Sequence, residues 1–284
     1  MFQLEKLINS NAELGEGPIW DPDTQQIIWI DILKGQINRV DLNGNTEAPL
    51  LLDEAVGAVA QTEKGNLIAA TPSGLVDLEK SKVVCQLPNQ DPNLRMNDGK
   101  ADPSGRFVGG TMTFGDPEPK AGSLWSFGPE GVQCILEDVT ISNGLDWSDD
   151  GKRIFYIDTP TQRIDSFDYD LDTGQIGNRT TIIEIPASMG SPDGMCVDAE
   201  GGIWVALWGG GSVIRIVDGQ ISKIIEIPTP QVTSVAFVGT DLDQLVITTA
   251  SIGLTGKQDG AGDLYLYSTN TSGKQANRIG TWIS

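Results

Sequence analysis

Four residue pairs that begin with an oxygen-bearing side chain and end in glycine, Glu16-Gly17, Asp98-Gly99, Asn143-Gly144 and Asp193-Gly194, each stand just ahead of an expected strand at the same phase of a repeat. Their glycines stand at 17, 99, 144 and 194, intervals of 82, 45 and 50 residues. A tight turn explains any single pair, because Asp, Asn and Gly all favour turns for local reasons. The spacing of the set asks for more. Three carboxylates and an amide gathered at one point would repel one another unless a cation sat among them. An all-oxygen donor set suits a hard divalent ion such as Ca²⁺, Mg²⁺ or Mn²⁺. Histidine is absent from all 284 residues. Its absence excludes Ser-His-Asp and Cys-His catalysis, a His general base and His-ligated zinc. Acid–base work is left to carboxylates, Lys, Tyr, Cys or metal-activated water.

Distant pairs can meet only if the fold brings them together, and the chain carries a repeat that would do so. Short apolar runs beginning at Ile27, Leu67, Phe107, Ile154, Ile203 and Leu245 recur at intervals of 40, 40, 47, 49 and 42 residues. Several follow a turn sequence such as Asp102-Pro103-Ser104-Gly105 or Asp198-Ala199-Glu200-Gly201, with Gly supplying the positive φ that a hairpin needs. Alternating segments flank each run, helical periodicity is weak, and 34 Gly and 15 Pro suit strands and turns. Short strands at this period are the signature of propeller blades. A lone four-stranded blade cannot bury both faces, whereas a ring of blades can. The expectation is an all-β, six-bladed β-propeller of four-stranded antiparallel blades, one domain over residues 1–284. A β-sandwich or two small β domains is the alternative, but no linker-like change of composition supports it. Phe2 to Ile8 precedes the first repeat and Arg278 to Ile283 ends the last. The two termini are expected to share one blade and latch the ring.

In a propeller, equivalent positions of successive blades face one central channel. The start of each inner strand lies at one mouth of it, so Glu16, Asp98, Asn143 and Asp193 should converge there. At this phase the second blade has Val56-Gly57 and the last has Thr233-Ser234.

The remaining features narrow the class. Nineteen Lys and Arg against 39 Asp and Glu leave a net charge of −20. Nucleic acids and acidic membranes would be repelled. Cys85, Cys134 and Cys196 are far apart with no CxxC pair, which suits a reducing compartment. Cys196 lies in an apolar run and reads as a buried, inert thiol. The N-terminus lacks a signal-peptide pattern. The uncharged stretch Gly201 to Ile214 is broken by five glycines and does not read as a membrane span. A soluble, cytoplasmic protein is expected. Asp168 to Gly174 departs from a Ca²⁺ loop in the place of its Gly and in Arg179 at the twelfth position. Gly209-Gly210-Gly211 lacks the Lys-Ser/Thr of a phosphate loop.

Taken in order, Gly15-Glu16-Gly17-Pro18-Ile19-Trp20, Arg95-Met96-Asn97-Asp98-Gly99-Lys100, Ser142-Asn143-Gly144-Leu145-Asp146-Trp147 and Pro192-Asp193-Gly194-Met195 resemble the SMP-30/gluconolactonase (regucalcin-like) family of sugar lactonases. Gly110-Thr111-Met112, Trp208-Gly209-Gly210-Gly211 and Asp241-Leu242-Asp243-Gln244-Leu245 add to the match. The resemblance implies a six-bladed propeller holding one divalent metal, Ca²⁺ first, with Mn²⁺, Mg²⁺, Zn²⁺ or Fe²⁺ also compatible. It implies Glu16, Asn143 and Asp193 as metal ligands, with Asp193 also catalytic as the base on the attacking water. Arg95 and Asn97 become substrate-binding, Asn97 within reach of the metal directly or through water, and Asp98 becomes a pocket residue beside them. Some relatives carry an acidic pair soon after Gly-Thr-Met. Here the sequence is Thr113-Phe114-Gly115-Asp116-Pro117-Glu118-Pro119, a Pro-rich loop expected to line or cover the pocket.

The implied activity is hydrolysis of a small sugar lactone to its aldonic acid, the metal acting as Lewis acid on the carbonyl. Two alternatives stand beside it: a non-catalytic calcium-binding or regulatory protein, and a hydrolase of other esters or organophosphates on the same scaffold.

Overall fold

The computed structural model describes residues 3–88, 91–255 and 259–283. Each of the six periodic apolar runs forms the second strand of a four-stranded antiparallel sheet: Gln26–Asp31, Leu67–Thr71, Phe107–Thr113, Arg153–Asp158, Ile203–Trp208 and Gln244–Thr249. These strands are covered on both faces, which is why they read as continuous apolar runs and not as alternation. The inner strands are Gly15–Asp21, Ala58–Gln61, Leu94–Ala101, Ser142–Trp147, Ser191–Val197 and Val232–Val238. Chain order runs outward through each of the first five blades. The protein is a six-bladed β-propeller.

The core is a set of layers between blades. Six apolar clusters occur among the described residues, and each joins two adjacent blades. One joins Val108 and Leu124 of the third blade to Trp147, Tyr156 and Tyr169 of the fourth. Another joins Trp20 and Trp29 of the first to Val246 and Leu266 of the sixth. No blade buries its faces without both neighbours, so the ring must close.

Closure comes from the N-terminus. Leu4–Ile8 pairs antiparallel with Leu264–Ser268, Leu4 opposite Tyr267 and Lys6 opposite Tyr265, and supplies the outermost strand of the sixth blade. The Lys6 ammonium adds an ion pair to Asp263 at 2.8 Å. The two ends therefore share a blade, as expected, although Phe2 lies outside the described residues. Arg278 to Ile283 does not belong to that blade. The free edge of Leu264–Ser268 is already taken by Leu4–Ile8, and the chain instead leaves the sixth blade and crosses the far mouth of the channel.

This crossing segment touches every blade. The Gly273 N–H donates to the Leu242 carbonyl at 2.7 Å, and the Ala199 N–H donates to Ser272. Lys274 Nζ donates to the Trp147 carbonyl, Asn277 Nδ2 to that of Ala101, and the Ile279 N–H to that of Gln61. Arg278 pairs with Asp23 at 2.6 Å. Ile279 and Ile283 are buried among Ala58, Ala60 and Phe107 of the second and third blades.

At the far mouth, several turns are held by a buried Asp. Asp198 accepts the Gly202 N–H at 2.8 Å, the indole N–H of Trp204 at 2.8 Å and Arg215 Nε at 2.7 Å. Burial alone would raise its pKa, but the Arg215, Gly202 and Trp204 donors outweigh it and hold Asp198 below the usual carboxylate range. Its stabilising contribution is present above the unfolded Asp value and is lost as pH falls through the lowered folded one. Asp198→Ala would leave Arg215 Nε and the Trp204 N–H without their acceptor, with Glu200 still pairing Arg215 NH2 at 2.8 Å. It is expected to destabilise the fold by about 3–5 kcal/mol, measured by denaturant unfolding at pH 7, with a smaller difference below pH 3.

Candidate metal and substrate site

The inner strands enter at one mouth of the channel, and there their pairing with the second strands slips. The register shifts between Glu16 and Ile19, Met96 and Gly99, Ser142 and Leu145, Pro192 and Met195, and Val232 and Ser234. The four X-Gly pairs thus lie inside their strands, at bulges, and not just ahead of them as the sequence suggests. A bulge bends the strand and re-aims its side chains. The second blade, with Val56-Gly57 at this phase, has only the short inner strand Ala58–Gln61 and no register shift.

Two of the glycines have a packing reason. A Cβ on Gly144 would stand 2.5 Å from the Asp193 carbonyl oxygen and 2.8 Å from the Met195 nitrogen. One on Gly194 would stand 2.2 Å from Ser234 Oγ. Each lets its strand press against the next, so the residue before it stands close to its counterpart in the neighbouring blade.

Turn carboxylates set the phase. The Asp31 carboxylate accepts the backbone N–H groups of Glu13 and Leu14 just before the Glu16 bulge. Asp158 does the same for Thr140 and Ile141 before the Asn143 bulge.

Glu16, Arg95, Asn97, Asp98, Asn143 and Asp193 are all buried, each 5–7% exposed. Their charges act on one another. Burial first, then the Asp193 and Asp98 charges, push Glu16 well above the usual carboxylate range. Asp193 is pushed up by burial and Asp98, against the opposing pull of Asn143 and Arg95. Burial also raises Asp98, with Lys100 acting against it. Burial draws the Arg95 guanidinium down to about 10, while Glu16 and Asp193 favour its charged form. The structure therefore brings together the acidic residues expected from the repeat phase, with Arg95 among them.

Arg95 and Asn97 are linked. Arg95 NH1 donates to Asn97 Oδ1 at 2.6 Å and to the Met96 carbonyl at 3.1 Å. Asn97 Nδ2 donates to the Ser142 carbonyl of the next blade at 2.7 Å. Asn97 thus ties Arg95 to the fourth blade, and the remaining guanidinium N–H groups keep their donor capacity. Met112 stands opposite Arg95 in the ladder, so segment 113–120 leaves the third blade beside it.

Two supporting residues carried no signal in the sequence beyond sitting inside the motifs. Lys100 Nζ donates to the Met195 carbonyl at 2.7 Å and lies 3.3 Å from Asp146, whose carboxylate accepts the Val197 N–H. This pair ties together the three inner strands that carry Asp98, Asn143 and Asp193. A cavity of about 200 Å³ lies at the opposite mouth, bordered by Trp20, Lys100, Trp147, Cys196, Phe237 and Lys274. None of the six candidate site residues lines it.

The donor set fits a divalent ion. Asn143 Oδ1 is buried without a hydrogen-bond partner, next to carboxylates strained by their shared charge. Among the described residues no three Asp, Glu or Cys side chains form a metal cluster by themselves. Two carboxylates and one amide oxygen is therefore the set that Glu16, Asp193 and Asn143 offer.

Fold and site together define a class: a six-bladed propeller with an acidic, arginine-bearing channel mouth. The chain belongs to the SMP-30/Gluconolactonase/LRE-like family, whose model matches residues 14–251. Human regucalcin is 36% identical over 264 residues, 89% of this chain and 88% of that protein. A calcium-binding regucalcin from Agrobacterium tumefaciens superposes with a TM-score of 0.91 at 29% identity, covering 98% of this chain and 97% of its own. A luciferin-regenerating enzyme gives 0.90 at 28% identity, covering 99% and 100%.

Gly144→Ala would drive a Cβ into backbone of the fifth blade. It is expected to destabilise the protein by about 1–3 kcal/mol, seen as an earlier melt. A second prediction follows from the raised carboxylates. A carboxylate whose folded pKa exceeds its unfolded value, near 4, stabilises only while protonated. That contribution is present below the unfolded pKa and is lost as pH rises through the folded one. In EDTA at pH 7, Asp193→Asn is therefore expected to melt a few °C above wild type, at about 2–4 °C per kcal/mol, and the gap should shrink toward pH 4.

Proposed function

We propose that this protein hydrolyses a sugar lactone of the gluconolactone type to the aldonic acid, with one divalent ion, Ca²⁺ first, held by Glu16, Asn143 and Asp193. The observation that carries this reading is a buried, unpartnered amide oxygen beside two mutually repelling carboxylates and an arginine, in a chain without histidine. Membership of the SMP-30/Gluconolactonase/LRE-like family supports it.

A bound divalent ion would supply Lewis acidity toward the lactone carbonyl and would acidify nearby water. The chain's own residues do the rest. Asp193 holds the attacking water and takes its proton as the oxygen adds to the carbonyl carbon. The ring C–O bond then breaks, and the proton passes to the departing ring oxygen. Arg95 presents its free donors to the sugar hydroxyls. Asn97 keeps that guanidinium in place and has one further N–H to offer, and Asp98 accepts from a hydroxyl. Segment 113–120, with Phe114 exposed beside the mouth, sets which lactone fits. The three cysteines are free thiols, which suits action in the cytoplasm, and no helix among the described residues is long and apolar enough to cross a membrane.

A second reading is favoured by one finding: the Agrobacterium neighbour is described as a calcium-binding protein. The same pocket would then hold the ion without turnover.

A pH-stat assay separates the two, because lactone hydrolysis releases acid. With xylono-, arabinono-, galactono- and gluconolactones, turnover is expected with a divalent ion, loss in EDTA and recovery on re-addition. Asp193→Asn should lower kcat by about 10²–10⁴-fold while the protein stays folded. Full activity in EDTA would defeat the metal role, near-normal turnover by Asp193→Asn would defeat the assignment of that residue, and no turnover of any lactone would favour the binding protein.

A further inference from the structure

Asn143 has two faces, and only one of them is useful to a cation. Its Oδ1 is a donor atom for a metal, whereas its Nδ2 carries hydrogens and would repel one. The structure shows what decides between them. Asn143 Nδ2 donates to Thr159 Oγ1 at 3.0 Å, and Thr159 Oγ1 donates its own proton to the Pro192 carbonyl at 2.9 Å. A hydroxyl has a single proton. With that proton committed to Pro192, Thr159 Oγ1 can only accept from Asn143. The amide must therefore turn its Nδ2 toward Thr159, with the Asp193 carboxylate as a second acceptor drawing on the same side chain, and Oδ1 is left buried and without a partner.

Thr159 is itself held from several directions. It follows Asp158, which pairs with Ser142 in the ladder directly before the Asn143 bulge. Asp158 in turn accepts the Thr140 and Ile141 N–H groups. The Thr159 N–H donates to the Ile141 carbonyl, and Thr159 opens the short 3₁₀ turn Thr159–Thr161, with Pro160 next in line. Its acceptor, Pro192, immediately precedes Asp193. One hydroxyl thus links the Asn143 side chain to the backbone that carries Asp193, across the gap between the fourth and fifth blades.

We infer that Thr159 is a positioning residue, whose hydroxyl sets the orientation of the Asn143 amide so that Oδ1 is offered to a divalent cation. The inference rests on the proposed metal site and deepens it by assigning the residue that prepares one ligand. Hydrogen-bond partners one step behind the ligands of a metal orient them, and their loss weakens binding by about 10–100-fold.

The test is titration calorimetry of CaCl₂, and separately MnCl₂, into EDTA-stripped and desalted wild-type, Thr159→Val and Thr159→Ser proteins, alongside their melting curves. Valine keeps the shape of threonine and removes the hydroxyl; serine keeps the hydroxyl. The expected result is ion affinity weakened about 10–100-fold in Thr159→Val and retained within about threefold in Thr159→Ser. A merely structural role would lower the melting temperature of Thr159→Val and leave its affinity for the ion unchanged. That outcome overturns the inference and leaves the proposed lactonase function standing. Wild type that binds neither ion overturns the inference and the metal site together. If Thr159→Val does not give a cooperative melt, Thr159→Ala is compared with Thr159→Ser by the same two criteria.

Discussion

Glu16, Asp98 and Asp193 press like charges against one another at a channel mouth that excludes most water, and the rest of the structure serves to hold them there. Burial and mutual repulsion both favour the neutral forms. A loose chain would relieve that strain by moving the carboxylates apart. Here it cannot, because each sits on a different blade and no blade buries its faces without its neighbours. The apolar layers between blades and the antiparallel pairing of Leu4–Ile8 with Leu264–Ser268 keep the carboxylates confined.

The same geometry explains why oxygen-bearing residues and glycine occur together. The bulge turns a side chain out of the pleat, and the glycine beside it removes the Cβ that would hold neighbouring inner strands apart. Gly144 lies against the backbone at Asp193, and Gly194 against Ser234. Bulge and close approach to the next blade coincide in the fourth and fifth blades, whereas Gly17 and Gly99 lie against Ile30 and Phe107 of their own blades. The second blade lacks the bulge and contributes no side chain to the candidate set. Beneath this ring of bulges, Lys100 and Asp146 tie the third, fourth and fifth inner strands together. Above it, Asn97 ties Arg95 to the carbonyl of Ser142. The supporting polar contacts thus run between blades, which makes the spacing of the site a property of the closed ring.

The periodic runs marked the second strands because those strands are covered on both faces and must be apolar throughout. Asp and Gly turn sequences marked several hairpins because positive φ and side-chain-to-backbone hydrogen bonds are local requirements. The path after Ser268 was not legible in this way. Arg278 to Ile283 has the apolar residues of a strand, yet the edge it would join is occupied by a segment from the opposite end of the chain. The bulges were also hidden, since a slip in register depends on the partner strand as much as on the strand that bears it.

Blade number, the order of strands within the first five blades and the shared phase of Glu16, Asp98, Asn143 and Asp193 were therefore legible in the sequence alone, each following from patterns a few residues long repeated along the chain, whereas Arg95 and Asn97 were marked only by the family resemblance. The tertiary structure decided the rest: that the C-terminal segment crosses the far mouth against all six blades, that Asn97 holds Arg95, that Lys100 and Asp146 join three strands, and that Thr159 faces Asn143. Apart from Arg95 and Asn97, which share the strand Leu94–Ala101, these pairings join residues far apart in the chain and, for the most part, on different blades. Hydrogen-bond direction and close approach are set by neighbours in space, and no local pattern in the chain encodes who those neighbours are.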